Sequence, residues 1–282
     1  MRKQLPASVE TGIVEDAANL SSTRINDQSE NDDFSPTSFD DNNGPLADDI
    51  IFEILQFLDS MLIIQICMKI SKQWRRVSFQ IPLSLAFIPN HFKQPKHESI
   101  KLLADCEYVK NLTCLSLDTN QIGNEGVKYI AASEYLNNLT YVNLEWNRIS
   151  KEGAKYFVAS ECLKNLTSLN LYYNEIGNEG AKYISESECL KNLTYLNLDR
   201  NQIGNEGAKY ISESEYLKIL TSLSLDDNEI GNEGAKFLAA SECLKNLTFL
   251  NLDRNQIDNE GVKYIVESQW LKNLSLLSLE DD

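Results

Sequence analysis

One unit of 27 residues is written six times in full and a seventh time in part between residue 111 and the end of the chain, and this periodicity limits the fold more than any other feature. Asn120, Asn147, Asn174, Asn201, Asn228 and Asn255 stand 27 apart without exception. So do Leu112, Leu139, Leu166, Leu193, Leu220, Leu247 and Leu274, and so do Leu117, Leu144, Leu171, Leu198, Leu225, Leu252 and Leu279. A unit of that length cannot enclose a core alone. Copies stacked in register bury their leucines between neighbours and form a solenoid.

Each unit has two halves with different periods. Leu115 and Leu117 alternate with Cys114, Ser116 and Asp118, which predicts a short strand with one buried face. After Asn120 the pattern turns helical: Val127, Tyr129, Ile130 and Leu136 form an apolar stripe, with Asn124 expected as N-cap and Glu125 in the first turn, three residues from Lys128. The Asn120 series is expected to satisfy backbone groups in the bend after each strand, and the Gly126 series to let each helix pack close to its neighbour. The unit reads N-L-T-x-L-x-L-x-x-N-x-I-G-N-E-G and resembles the leucine-rich repeat, whose period falls in the range of about 20–29 residues. Its length and helical half resemble the ribonuclease-inhibitor-like subclass. The resemblance implies an α/β fold: a leucine-rich-repeat solenoid with a parallel sheet on the concave side and helices on the convex side.

If the constant positions hold the frame, binding information sits where copies differ. The two slots after the last strand leucine read Asp118/Thr119, Glu145/Trp146, Tyr172/Tyr173, Asp199/Arg200, Asp226/Asp227, Asp253/Arg254 and Glu280/Asp281. The slot before the middle leucine reads Cys114, Tyr141, Ser168, Tyr195, Ser222, Phe249 and Leu276. Exposed Tyr and Trp are the residue types that dominate interface energies, and carboxylates around them favour a basic partner. The expected target-binding residues are Tyr141, Trp146, Tyr172, Tyr173, Tyr195, Asp199, Arg200, Asp226, Phe249, Asp253 and Arg254. The competing reading is that near-identical copies are recent duplications whose face carries little selected detail.

Upstream, four regions are expected: an acidic tail (1–44), a three-helix segment (45–82), a connector with an N-terminal capping half-repeat (83–110), and the repeats (111–282). The tail has nine acidic and three basic residues and few large apolar ones, the composition of a disordered segment, whether a plain solvated leader or a partner-binding one. Within 83–110, Leu83 to Ile88 is the expected capping strand and Ile100 to Lys110 the helical half of a drifted unit. At the far end the chain stops after a strand, so either the gene product is truncated or another chain covers that edge.

Residues 45–82 carry apolar side chains around most of the first helix (Ile50, Ile51, Phe52, Ile54, Leu55, Phe57, Leu58), with Asp48, Ser60 and Ser71 as expected N-caps. A segment this short cannot cover that much apolar surface, so the repeats or a second protein must. Leu46, Asp49, Ile50, Ile54, Leu55, Phe57-Leu58 and Ser71-Lys72-Gln73-Trp74-Arg75 resemble the F-box pattern. Ala47 stands where that family usually has Pro, with Pro45 two positions earlier. The resemblance implies a non-catalytic substrate receptor of a Skp–cullin–F-box type ubiquitin ligase. Leu46, Ile50, Ile54, Leu55 and Leu58 would dock into the Skp-type adaptor, and the repeats would hold the target. A pure interaction scaffold and an enzyme inhibitor are the alternatives.

Other classes are disfavoured. The formal net charge of -16 opposes general nucleic-acid binding and docking on anionic membranes. No apolar run follows the first residues, and Glu53, Asp59 and Lys69 interrupt the most apolar window, so a cytoplasmic protein, or a nuclear one, is expected. That setting also makes the Asn-Leu-Thr sequons poor glycosylation acceptors. Cys162, Cys189 and Cys243 share one repeat position and read as core residues. His91 and His97 are expected in exposed loop, and the carboxylates form a regular array in place of one inequivalent pair, so neither catalysis, cofactor nor metal is expected.

Overall fold

A computed structural model describes residues 48, 51–52, 63, 72–92 and 96–279. The expected tail lies outside the described residues, as do Leu46, Ile50, Ile54, Leu55 and Leu58.

The order of elements is α1 (Lys72–Ser78), β1 (Leu83–Ala86), α2 (Lys96–Ala104), β2 (Leu112–Ser116), α3 (Gly123–Ala131), β3 (Tyr141–Asn143), α4 (Lys151–Val158), β4 (Ser168–Asn170), α5 (Gly177–Ser185), β5 (Tyr195–Asn197), α6 (Asn205–Ser212), β6 (Ser222–Ser224), α7 (Asn232–Ala239), β7 (Phe249–Asn251), α8 (Asn259–Val266) and β8 (Leu276–Ser278). Among the described residues the strands form one parallel eight-stranded sheet in the order β1 to β8. Successive strands pair one repeat apart, so Cys114, Tyr141, Ser168, Tyr195, Ser222, Phe249 and Leu276 lie side by side. In the segment 83–110, β1 pairs with β2, and α2 packs on α3.

Strand leucines and helix residues share one core. Leu115, Leu117, Val127, Ile130, Leu136 and their counterparts are buried along the array, with Phe157 at the Ile130 position of α4, until the last unit, where Val262, Leu277 and Leu279 are partly buried. Cys162 and Cys189 are buried within it. Lys128 pairs with Glu125 at 3.0 Å on the outer helix face.

The polar recurring residues do more than the sequence suggested. Asn174 is almost fully buried: its amide nitrogen donates to the Leu144, Leu171 and Tyr172 carbonyls (3.0, 3.0 and 3.3 Å), and its oxygen accepts from Asn147 and Ile149 N–H (3.1 and 2.9 Å). Helix ends are completed by neighbours. Asn124, expected to cap its own helix, instead accepts from Ser150 N–H of the next repeat at 2.9 Å. Asn178 accepts from Gly204 and Gly207 N–H (2.8 and 2.9 Å), which gives α6 the N-terminal acceptor that Gly204 lacks. A Cβ on Gly207 would come within 2.8 Å of that Asn178 oxygen, so glycine is required for the cap to fit. At the other helix ends, Ser160 and Ser187 donate to the Ala131 and Phe157 carbonyls of the preceding repeat (3.0 and 2.8 Å). The sequon residues bridge in the same way: Asn165 donates to the Asn137 carbonyl at 2.8 Å and Thr167 to that of Thr140 at 3.0 Å.

Three smaller expectations are corrected. Asp48 is helical, and its carboxylate accepts from Gln73 at 2.9 Å and pairs with Arg76, which holds it below the usual carboxylate range. His97 lies on α2, not in a loop. His91 packs between Phe87 and Phe92, each ring centroid 5.2 Å away, and burial lowers its pKa.

Replacing Asn174 with Ala strands the buried Asn147 and Ile149 N–H groups and the Leu144 carbonyl, while the Leu171 and Tyr172 carbonyls keep Asn201 and Trp146 as donors, and is expected to cost about 3 kcal/mol. Asn178→Ala removes only a helix cap and is expected to cost about 1 kcal/mol. Urea titration of the two variants measures the order; equal losses would show that the bend asparagines are not the principal tie.

Candidate functional site: the open sheet face and its edge groove

The sheet face away from the helices carries three rows, and a fourth runs along the loops beside it. Tyr141 and Tyr195 stand across the small Ser168 from each other in the first row, so two phenol rings share the space of three strands. Burial raises the pKa of both, and each ring feels the carboxylates nearby. Phe249 follows beyond Ser222.

The second row went unread in the sequence. Asn143, Asn170, Asn197 and Asn251 each accept from the N–H two residues on, at 3.1, 2.9, 2.8 and 3.0 Å. These turns fix where the third row (Asp118, Glu145, Tyr172, Asp199, Asp226, Asp253) leaves its strands. A 27-residue recurrence was the available signal, masked because Ser116, Ser224 and Ser278 break it.

The fourth row is Thr119, Trp146, Tyr173, Arg200, Asp227 and Arg254, all with φ between 50 and 56°. Bulky side chains rarely adopt that left-handed conformation. It is held by the next repeat: Trp146 N–H donates to the Tyr172 carbonyl (3.0 Å), Tyr173 to Asp199 (2.9 Å), and Arg200 to Asp226 (2.9 Å). The side chains consequently stack in order. Trp146 lies flat on Tyr173, centroids 3.7 Å apart and planes 3° from parallel. The Arg200 guanidinium sits 5.8 Å from the Tyr173 ring and 5.9 Å from that of Tyr172, with Nε 2.8 Å from Asp227 Oδ2. Arg254 pairs with Asp226 and approaches Asp227 at 3.9 Å.

Beside this stack runs a groove of about 870 Å³, lined by Thr119, Trp146, Tyr173, Arg200 and Asp227 together with Gln121, Arg148, Glu175, Gln202 and Glu229. The last five were missed by sequence reasoning, although they fill the one variable slot in the otherwise constant N-x-I segment.

The eleven residues expected to meet a target therefore separate. Trp146, Tyr173 and Tyr195 are the exposed aromatic members, with 41% of Trp146 and of Tyr173 accessible. Asp199 and Asp226 are buried instead: Asp199 accepts from Asp226 N–H at 2.7 Å, and Asp226 holds Arg254. Arg200, Arg254 and Asp253 are likewise tied into the array, Asp253 accepting from the Ser278 hydroxyl at 2.7 Å. Among the described residues no group of three or more His, Cys, Asp or Glu could hold a metal, and no helix is long and apolar enough to cross a membrane.

Burial raises the pKa of Asp199 and, despite Arg254, of Asp226. The native state then binds protons more readily than the unfolded chain, so stability falls as pH rises through the native values. Asp199→Asn keeps an acceptor for Asp226 N–H and removes the buried charge. Its melting temperature is expected to exceed the parent's at about pH 7, with the gap closing as pH falls toward the ordinary carboxylate value of about 3.9. A gap constant with pH, followed by circular dichroism, would contradict this.

The family model of the leucine-rich repeat matches residues 110–131, 135–158, 162–185, 189–212, 217–239 and 243–266, half of the chain. No curated protein matches the sequence. Among solved structures, the chain is similar to internalin (inlF) of Listeria monocytogenes, at 23% identity over 61% of this chain, with a TM-score of 0.36, and spans half of that structure's length. It is also similar to internalin C2 of the same organism, at 22% identity over 82% of this chain and 96% of that one, with a TM-score of 0.47. With its six matched units stacked on one parallel sheet, the chain belongs to the leucine-rich repeat family and has the form of a protein-interaction scaffold.

Proposed function

We propose that this protein is a non-catalytic substrate receptor of a Skp–cullin–F-box type ubiquitin ligase, acting in the cytoplasm or nucleus. Its repeats hold a target protein, and the segment 45–82 docks into a Skp-type adaptor. The observation that carries the first half is the Trp146–Tyr173 stack, a wide and rigid aromatic platform left exposed beside a groove. Exposed Trp and Tyr on a preorganised surface contribute most where a partner covers them. The acidic balance of the chain favours a basic target and speeds encounter with it.

The second half is supported by the segment's sequence, Leu46 through Arg75. It agrees with the described part of that segment, where Ile51 and Ile63 are buried and Asp48 is tied to Gln73 and Arg76. These described residues of the segment are thus anchored on their own chain. Leu46, Ile50, Ile54, Leu55 and Leu58 are left to the adaptor in this reading. Catalysis in such an assembly is positioning: the receptor raises the effective concentration of target beside a separate enzyme.

Two experiments test the halves separately. Purified Skp-type adaptor is expected to co-purify with the wild-type chain and not with Ile54→Asp, while the circular dichroism of the repeats stays unchanged. Adaptor binding by neither protein, with folded repeats, reduces the chain to a scaffold without ligase recruitment. Replacing Trp146 and Tyr173 together with Ala is expected to weaken target capture by about 30-fold, the effect of one interface hot spot. Because both rings are exposed, the melting temperature should move by only a few degrees, and a larger fall would assign the pair to the core.

A further inference from the structure

The fourth row is complete in one direction and interrupted in the other. From Tyr173 onward every member is covered by its successor: Arg200 lies over Tyr173 and pairs with Asp227, which Arg254 approaches in turn. Toward the N-terminal repeats the stack ends at Trp146. One face of its indole rests on Tyr173; the other turns toward the preceding repeat, where the row holds the short side chain of Thr119. Among the described residues no cation lies over the indole. Asp118 and Glu145 immediately precede the two residues that border this gap, and Thr119 N–H donates to the Glu145 carbonyl at 2.8 Å. Their carboxylates accept from neutral groups, Ser116 to Asp118 at 2.8 Å and Asn170 to Glu145 at 3.2 Å, and neither joins an ion pair among the described residues. The two charges oppose one another: burial and then Asp118 raise the pKa of Glu145.

We propose that the gap between Thr119 and Trp146 receives an arginine side chain of the bound protein, its guanidinium stacked on the free indole face and hydrogen-bonded to the carboxylates of Asp118 and Glu145. This deepens the reading of the repeats as a receptor surface and rests on it. The chain itself supplies the template two repeats later, where Arg200 covers the opposite end of the same aromatic pair and meets Asp227. A guanidinium is flat, weakly hydrated and able to bond two carboxylates while stacked; an ammonium keeps its water and cannot lie flat on a ring. Local charge agrees. Arg148 and Arg200 line the groove against Glu175, Asp227 and Glu229.

The probe is a blocked Gly-Arg-Gly peptide titrated into the full chain, read at the indole N–H resonance that Trp146→Phe removes. That resonance is expected to shift, with affinity about tenfold above that of the lysine peptide and of the neutral citrulline peptide. Asp118→Asn with Glu145→Gln is expected to abolish the difference between arginine and citrulline. Thr119→Arg places the guanidinium within the chain, at a backbone angle that Arg200 and Arg254 already adopt (φ 53 and 51°), and is expected to abolish the peptide-induced shift. The indole resonance of Trp270 and the circular dichroism of the chain report that each variant is folded. Equal shifts with arginine and citrulline, or an undiminished shift in Thr119→Arg, overturn the slot. If Trp146→Ala weakens target capture while Gly-Arg-Gly leaves the indole unmoved, the receptor surface stands and the arginine slot falls. Adaptor binding is indifferent to all of these variants and reports on the ligase reading alone.

Discussion

Each repeat leaves its own backbone incomplete, and the neighbouring copy completes it. The bend after the strand is closed by the next repeat's buried asparagine, and helix N–H groups by an asparagine one repeat earlier. Helix-end carbonyls are met by a serine one repeat later. A buried N–H or C=O without a partner costs about 1–3 kcal/mol, and one repeat contains several. The leucines supply the gross driving force for stacking and already oppose a slip of one residue, which would turn them to the open face. The hydrogen bonds add to this, because the same shift strands every one of these groups together. Register in this solenoid is therefore held by polar side chains as well as by the apolar stack, and cooperativity follows because no unit is satisfied alone.

That constraint explains how the edge groove holds its shape. Six non-glycine residues in the left-handed region form a costly arrangement if considered singly. Five of them, Thr119 to Asp227, are clamped by a carbonyl of the following repeat, and in four repeats Asn143, Asn170, Asn197 or Asn251 fixes the residue just before the row member. The outcome is a column of side chains at repeat spacing, close enough for rings and guanidinium groups to lie face to face. A flexible loop could carry the same residues, but it would have to order them on binding and lose affinity in doing so.

Much of the frame was legible from the chain alone because a repeat announces its own constraints. A residue found at every copy is answering a demand made at every copy, and the bend asparagines, the strand leucines and the helix glycines could be assigned in that way. The direction of the polar bonds was harder. Asn124 looks like a cap for the helix it opens, since nothing in a linear sequence says that the N-terminus nearest its side chain belongs to the next unit. The site was half legible for a related reason. Trp146 and Tyr173 occupy the variable slot just past the strand, and both are exposed. Alternation places Asp199 and Asp226 on the open sheet face but cannot tell that cross-strand neighbours enclose them. Gln121, Arg148, Glu175, Gln202 and Glu229 were overlooked because they lie in the loop, where alternation ends, and only the folded chain brings them into one groove.

The same contrast divides the surface into two kinds of variability. In the later repeats the differing residues are matched to one another: Arg200 answers Asp227, Arg254 answers Asp226, and Asp199 holds the backbone of Asp226. Such substitutions arise in sets, because changing one leaves a buried charge without its partner, and the cost of that exceeds the gain from the pair. In the earlier repeats the differing residues are unmatched. Trp146 has one covered face and one open face, and the carboxylates beside it bond only to neutral groups. Drift among duplicated copies explains neither pattern well, since random exchange would leave mismatches in both halves. In the proposed receptor, the aromatic area and negative charge left without ion-pair partners in the earlier repeats are the groups a target would complement.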